Sequence, residues 1–160
     1  MRFSNIFIGL AIIISLTVGV IVYNYFPAFK FDGFEKALDG ILLLSSICLG
    51  FYGACLSVLA SIFNTKIVME VMNDRHYRKE FIIIACSALI TGFILALTTI
   101  VYQILYANNN VGYFLMNLIN SFWLAVLTLF LSFSFLFILI SFFIFFQNKG
   151  EDESEEVNGG

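Results

Sequence analysis

The chain has 160 residues, 61% of them hydrophobic and only 12% charged, with a mean hydropathy of +0.97. Soluble domains carry about 25% charged residues, so this composition excludes a water-soluble fold and predicts a chain that lives in a bilayer. The formal net charge of -3 says little, because the charges are clustered and local sign decides topology.

The first span is expected over 3–26. At about 1.5 Å per residue it reaches roughly 36 Å, enough to cross a ~30 Å hydrocarbon core with some tilt. Ala11, Ser15 and Gly19 form a ladder at spacings of four, and Pro27 stops the helix. Residues 3–29 carry no charge. That run is too long for a signal-peptide core of about 7–15 residues, and no small-x-small cleavage site closes it, so it reads as a span that stays.

The first connection, 28–39, mixes Lys30, Asp32, Glu35, Lys36 and Asp39 with Phe29, Phe31 and Phe34. Phe31, Phe34 and Leu38 have helical spacing, so the segment is either a short helix in the headgroup plane or an ordinary loop with interfacial aromatics.

A second span is expected over 40–65. Gly53, Ser57 and Ser61 fall on one face, where the absence of bulk lets a neighbouring backbone come close. The connection 66–80 follows and holds the densest basic cluster: Lys66, Arg75, Arg78 and Lys79, with His76 and Tyr77 between them. Ile67, Val68, Val71 and Met72 suggest that the second helix continues past the membrane before Asn73 and Asp74 turn the chain.

From Phe81 to Gly150 there is no charged residue except Lys149, a tract far too long for one span. Asn108, Asn109 and Asn110 followed by Gly112 are its strongest turn signal, which places a tight hairpin there. The third span is then 81–107, with Ala88, Gly92 and Ala96 as its small-residue ladder. The fourth is 113–147, with Ser121, Ala125, Thr128 and Ser132 as a narrow packing face and a Phe-rich far end suited to lipid contact all round. The acidic tail, 150–160, carries Glu151, Asp152, Glu153, Glu155 and Glu156 and is expected to be disordered.

The fold class is therefore an all-α, integral membrane four-helix bundle: a single transmembrane domain, 1–149, followed by the tail. If both termini and the 66–80 connection share one side, that side holds Arg2, Lys66, Arg75, Arg78, Lys79 and Lys149 against Lys30 and Lys36 on the other. Positive residues favour the cytoplasmic face, so both termini are expected there.

No ionisable side chain falls inside these spans, which argues against a proton relay or an ion-coupled transporter. Cys48, Cys55 and Cys86 lie in apolar runs without further ligands at metal-binding spacing and read as small buried hydrophobes. His76 stands without an oriented partner for acid-base work. No catalytic constellation can be assembled, so the chain reads as non-enzymatic, with no cofactor and no metal. Its charged elements, Lys66 with Arg75–Lys79 and Glu151–Glu153, read either as positive-inside anchoring and a solvated tail or as a docking face for a cytoplasmic protein. The small-residue ladders lead us to expect a homo-oligomer.

The run Gly50-Phe-Tyr-Gly-Ala-Cys-Leu-Ser-Val-Leu-Ala-Ser-Ile-Phe-Asn-Thr-Lys66, followed by Met72-Asn-Asp-Arg-His-Tyr-Arg-Lys-Glu-Phe81, resembles a group of small bacterial four-span proteins. In that group the second helix ends in a Gly- and Ser-rich stretch before a cytoplasmic segment, and the group looks like KwaA, the membrane-subunit family of the Kiwa anti-phage defence system. The resemblance implies a homo-oligomer in the bacterial inner membrane that senses phage attack and works with a cytoplasmic DNA-binding effector, KwaB. It implies partner contact at 66–80 and the tail, and no catalytic residues or direct nucleic-acid binding by this chain. A small homo-oligomeric pore or holin-like channel is the alternative, with Asn24, Gln103, Asn117 and Asn120 as its candidate polar lining. A purely structural membrane anchor is a third.

Overall fold

The computed structural model describes residues 3–61, 75–108 and 111–158, with side chains described for 6–58, 80–108 and 111–142. Among the described residues the chain is helical and has no strands: α1 (Phe3–Tyr25), a single 3-10 turn (Ala28–Lys30), α2 (Phe34–Ser61), α3 (Arg75–Ala107) and α4 (Tyr113–Asn158). Each α-helix contains a stretch long and apolar enough to cross a membrane: Ile6–Tyr25, Phe34–Val58, Glu80–Ala107 and Tyr113–Phe142. A multi-pass membrane architecture follows from these four stretches.

The α3–α4 hairpin is the centre. Its connection is as short as the Asn and Gly signals predict, and Val111 N–H donates to the Asn108 carbonyl at 3.3 Å. So short a link forces antiparallel packing along the full length of both spans. The inward stripe of α3 runs through Phe81, Ile84, Ala88, Leu95 and Tyr102, and that of α4 through Met116, Trp123, Phe130, Phe133 and Phe137. Both repeat at three and four, the helical period of a core face.

The outer helices flank this hairpin, with α1 on α4 and α2 on α3. The α2 and α4 backbones stay apart, and large side chains bridge the gap. The Tyr52 ring lies 4.8 Å from that of Phe137, and Phe34 lies 5.9 Å from Trp123. Because each flanking helix has one main neighbour, the α1 and α2 stretches are 22% and 17% buried, against 39% for α3 and α4.

Four sequence expectations change. The second helix starts at Phe34 rather than at residue 40, because Phe34 and Leu38 are buried core residues and not headgroup-plane anchors. Gly33, at φ +82°, supplies the left-handed corner that lets α2 begin directly after the 3-10 turn. The third helix begins at Arg75, so the basic cluster opens α3 instead of lying wholly in a connection. The fourth helix runs on through the acidic segment to Asn158, where a disordered tail was expected. Extending a formed helix needs no new nucleus, and Glu is a good helix former. The Phe-rich end of α4 is also less uniform than expected: Phe130, Phe133 and Phe137 are buried, whereas Phe135 and Phe142 face outward.

Candidate functional site

One end of the bundle carries the charge. The antiparallel α3–α4 hairpin brings the start of α3, with Arg75, His76, Tyr77, Arg78 and Lys79, to the same end as the last turns of α4, with Glu151, Asp152 and Glu153. At about 1.5 Å per residue α4 is roughly 69 Å long, more than twice a ~30 Å hydrocarbon core, so it must project beyond the membrane at that end. The start of α1 and the end of α2 lie at this end too. Lys66 lies outside the described residues, as does the proposed continuation of the second helix over 66–72.

The opposite end is closed by a hydrogen-bonded clamp that reaches all four helices. Its origin is Pro27. In a continuing helix the Tyr23 carbonyl would accept from the backbone N–H of residue 27, which proline lacks. Asn117 Nδ2 of α4 donates to that carbonyl instead, at 2.8 Å. Asn120 Nδ2 donates to the Phe26 carbonyl at 2.9 Å, and the Tyr102 hydroxyl of α3 donates to Asn120 Oδ1 at 3.2 Å. One helical turn deeper, Trp123 Nε1 donates to Thr99 Oγ1 at 2.9 Å. Gln103 Nε2 donates to Asp39 Oδ1 at 2.7 Å and ties α3 to the first turns of α2. A bilayer offers few alternative partners to such groups, which is why interhelical polar contacts hold membrane bundles in register. Asn117 and Asn120, candidates for a pore lining on sequence grounds, are buried with their amides engaged in this clamp. Asn24 is exposed and bonds the Val20 carbonyl of its own helix.

The helix-packing residues divide. Ala88 is fully buried, and Ala96 is half-buried on the same ladder. Gly92 sits in close contact, since a Cβ there would stand 2.9 Å from both Leu49 Cδ2 and Phe130 Cε2 and those side chains would have to shift. Gly53 and Ser57 face outward: nothing lies within 4 Å of a Cβ built on Gly53, and Ser57 Oγ donates to the Gly53 carbonyl of its own helix. Ser61 is the last residue of α2, and its side chain is outside the described set. Among the described residues, then, nothing packs on Gly53. The close backbone approach occurs on α1, where Ser15 Oγ donates to the Ala125 carbonyl at 2.7 Å and Ser121 Oγ donates to the Gly19 carbonyl at 2.6 Å.

Of the cysteines, Cys55 is buried and Cys48 half-buried, but Cys86 faces outward, unlike the buried position expected; all three are free thiols. Among the described residues no group of three or more His, Cys, Asp or Glu side chains converges as a metal site would require. Sequence reasoning placed Asn117 and Asn120 in the first turns of α4 but missed the clamp. The available signal was Pro27, which orphans a carbonyl and so demands an outside donor. No family model, no curated protein and no solved structure matches the chain.

Proposed function

We propose that this chain is a non-enzymatic sensor and scaffold subunit of a bacterial inner membrane, of the KwaA kind, whose charged end recruits a cytoplasmic DNA-binding effector in a two-component anti-phage defence complex. The observation that carries this reading is the asymmetry of the bundle. One end is sealed by short connections and the clamp, whereas α3 and α4 extend beyond their apolar stretches at the other, one basic by sequence and the other acidic. The count of Lys and Arg by side favours a cytoplasmic position for the charged end. Such an end suits a partner with surfaces of both signs, bound more weakly as salt rises.

Homo-oligomerisation belongs to the same reading. The exposed surface of α2 carries one strip of small residues, Ser46, Gly50, Gly53 and Ser57 at spacings of four, three and four, beside Leu43, Ile47 and Phe51, whereas that of α1 carries Leu10, Ile13, Val20 and Ile21. Bulky aliphatics suit lipid; a smooth strip of small residues suits the close approach of another helix.

The test is an affinity pull-down of tagged full-length protein from its native membrane, with and without residues 150–160, and with Arg75, Arg78 and Lys79 reversed to Glu. Recovery of a soluble DNA-binding protein, lost on charge reversal while membrane insertion persists, is the expected result. Recovery of this chain alone as a discrete oligomer that passes ions in liposomes would replace this reading with the pore.

A further inference from the structure

A hydroxyl buried in a membrane bundle without a partner is costly, so such a group either turns back on its own helix or finds a partner across the bundle. Thr91, Thr99 and Thr128 take the first course, each donating to the carbonyl four residues earlier. Among the described residues Tyr52 Oη of α2 and the Oγ atoms of Ser134 and Ser141 of α4 take neither: all three are buried, with no hydrogen-bond partner in the protein. The first two belong together. The Tyr52 ring lies 4.8 Å from that of Phe137 and 6.5 Å from that of Phe130, and Ser134 stands between these two phenylalanines at helical spacing, on the same face of α4.

We infer that a water molecule is built into the interface between α2 and α4, bridging the Tyr52 hydroxyl and Ser134 Oγ. Ser134 and Cys48, one turn before Tyr52 on α2, are the polar neighbours of that hydroxyl, yet neither closes a hydrogen bond with it. The short Ser134 side chain stands in a row of phenyl rings and leaves room that a ring would fill, and the α2 and α4 backbones, which stay apart, do not close over it. Water donates twice and accepts twice, and a buried water typically makes about three hydrogen bonds to groups otherwise left unpaired. The two hydroxyls, each able to donate and to accept, supply two, and the Cys48 thiol, a weak donor and acceptor, supplies the third. Hydroxyls and a thiol are uncharged at neutral pH, so the site suits a small neutral ligand and not an ion.

Such a water fastens α2 to α4. The spanning stretch of α2 is the least buried of the four, at 17%, and it meets α4 through the rings of Phe34 and Tyr52. A bridging water turns the tip of Tyr52 from a buried orphan into a polar tie between the two helices. The inference rests on helix packing and is independent of the defence reading.

The test uses the full chain in phosphatidylcholine nanodiscs and two readouts. The first is the thermal unfolding midpoint of Tyr52→Phe, Ser134→Ala and the double variant. Each single change removes one end of the bridge and strands the other hydroxyl, so each should lower the midpoint, and the double variant should fall no further than the worse single one. The second is radiolytic hydroxyl-radical labelling read by mass spectrometry, since radicals form from water in place. Tyr52 should be labelled faster than Tyr102, which is equally buried but bonded to Asn120, and Ser134→Ala should slow the labelling of Tyr52. Midpoints unchanged or raised in both single variants overturn the proposal, because orphaned hydroxyls are better removed. Lowered midpoints with Tyr52 labelled no faster than Tyr102 also overturn it, in favour of a direct bond between the two hydroxyls. Should either variant fail to fold, the labelling of the wild-type chain decides alone.

Discussion

The two flanking helices carry the same sequence signature and use it in opposite ways. On α1, Ala11, Ser15 and Gly19 are buried, Ser15 and Gly19 against Ala125 and Ser121 of α4, with hydroxyl to carbonyl bonds in both directions. On α2, Gly53 and Ser57 look away from the bundle, and the face that packs on α3 and α4 is made of Phe34, Leu38, Tyr52 and Cys55. A ladder of small residues therefore states that a close approach is sterically allowed, and the partner is decided by what the facing helix offers. Opposite α1 stands a second ladder with hydroxyls, so two smooth faces meet. Opposite α2 stand Phe130 and Phe137, whose bulk needs long side chains to reach it.

Gly19→Ile breaks the comparison most severely. A Cβ there already meets Ala125 Cβ at 3.3 Å and the Ser121 carbonyl at 3.6 Å, both on a helix that cannot yield locally. A branched side chain must push α1 off α4, with an expected loss of about 3 kcal/mol in a denaturation series in mild detergent. Wild-type stability in that variant would mean that the α1–α4 contact is not as close as described.

Asn120→Ala is expected to cost less, about 1–2 kcal/mol, because it removes one interhelical bond to the Phe26 carbonyl and leaves the Tyr102 hydroxyl buried without an acceptor. The loss should be localised. Hydrogen exchange should quicken at the C-terminal end of α1, and uniform exchange across the bundle would argue that the clamp is not a local cap.

Gly53→Ile sharpens the contrast by doing the least to the single chain. With open space at that position, the stability of the isolated protomer should change by less than about 0.5 kcal/mol. Oligomer size, read by native mass spectrometry or crosslinking, should fall. Unchanged oligomer size would remove the α2 face as the contact between subunits; a destabilised protomer would mean that Gly53 packs within its own chain.

Much of the architecture was legible in the residues because bilayer physics leaves few choices. Apolar runs of sufficient length must be helices, and the Asn-rich break with Gly112 divides an otherwise undivided tract, so the limits near Ala107 and Tyr113 were readable. Charge misled at the other boundaries. Glu35, Lys36 and Asp39 suggest a connection, yet they ride on the exposed side of the first turns of α2 while Phe34 and Leu38 enter the core. A helix end in a membrane protein is set by backbone hydrogen bonding and packing, and it need not coincide with the first charge. The candidate site divides in the same way. The charged end follows from counting Lys, Arg, Asp and Glu along the chain, whereas the clamp needs Asp39 and Gln103, sixty-four positions apart, to be brought within 2.7 Å.

By itself the sequence determined the class of object, the number of spanning helices, the hairpin and the charge of each connection, because these depend on properties added up along a continuous stretch. Tertiary structure alone decided which ladder found a partner, which asparagines serve the backbone of another helix, and which polar side chains tie α2 to α3. Those outcomes depend on the relative rotation of helices about their axes. That rotation follows from how the side chains of two helices fill space together, and no single stretch of sequence contains it.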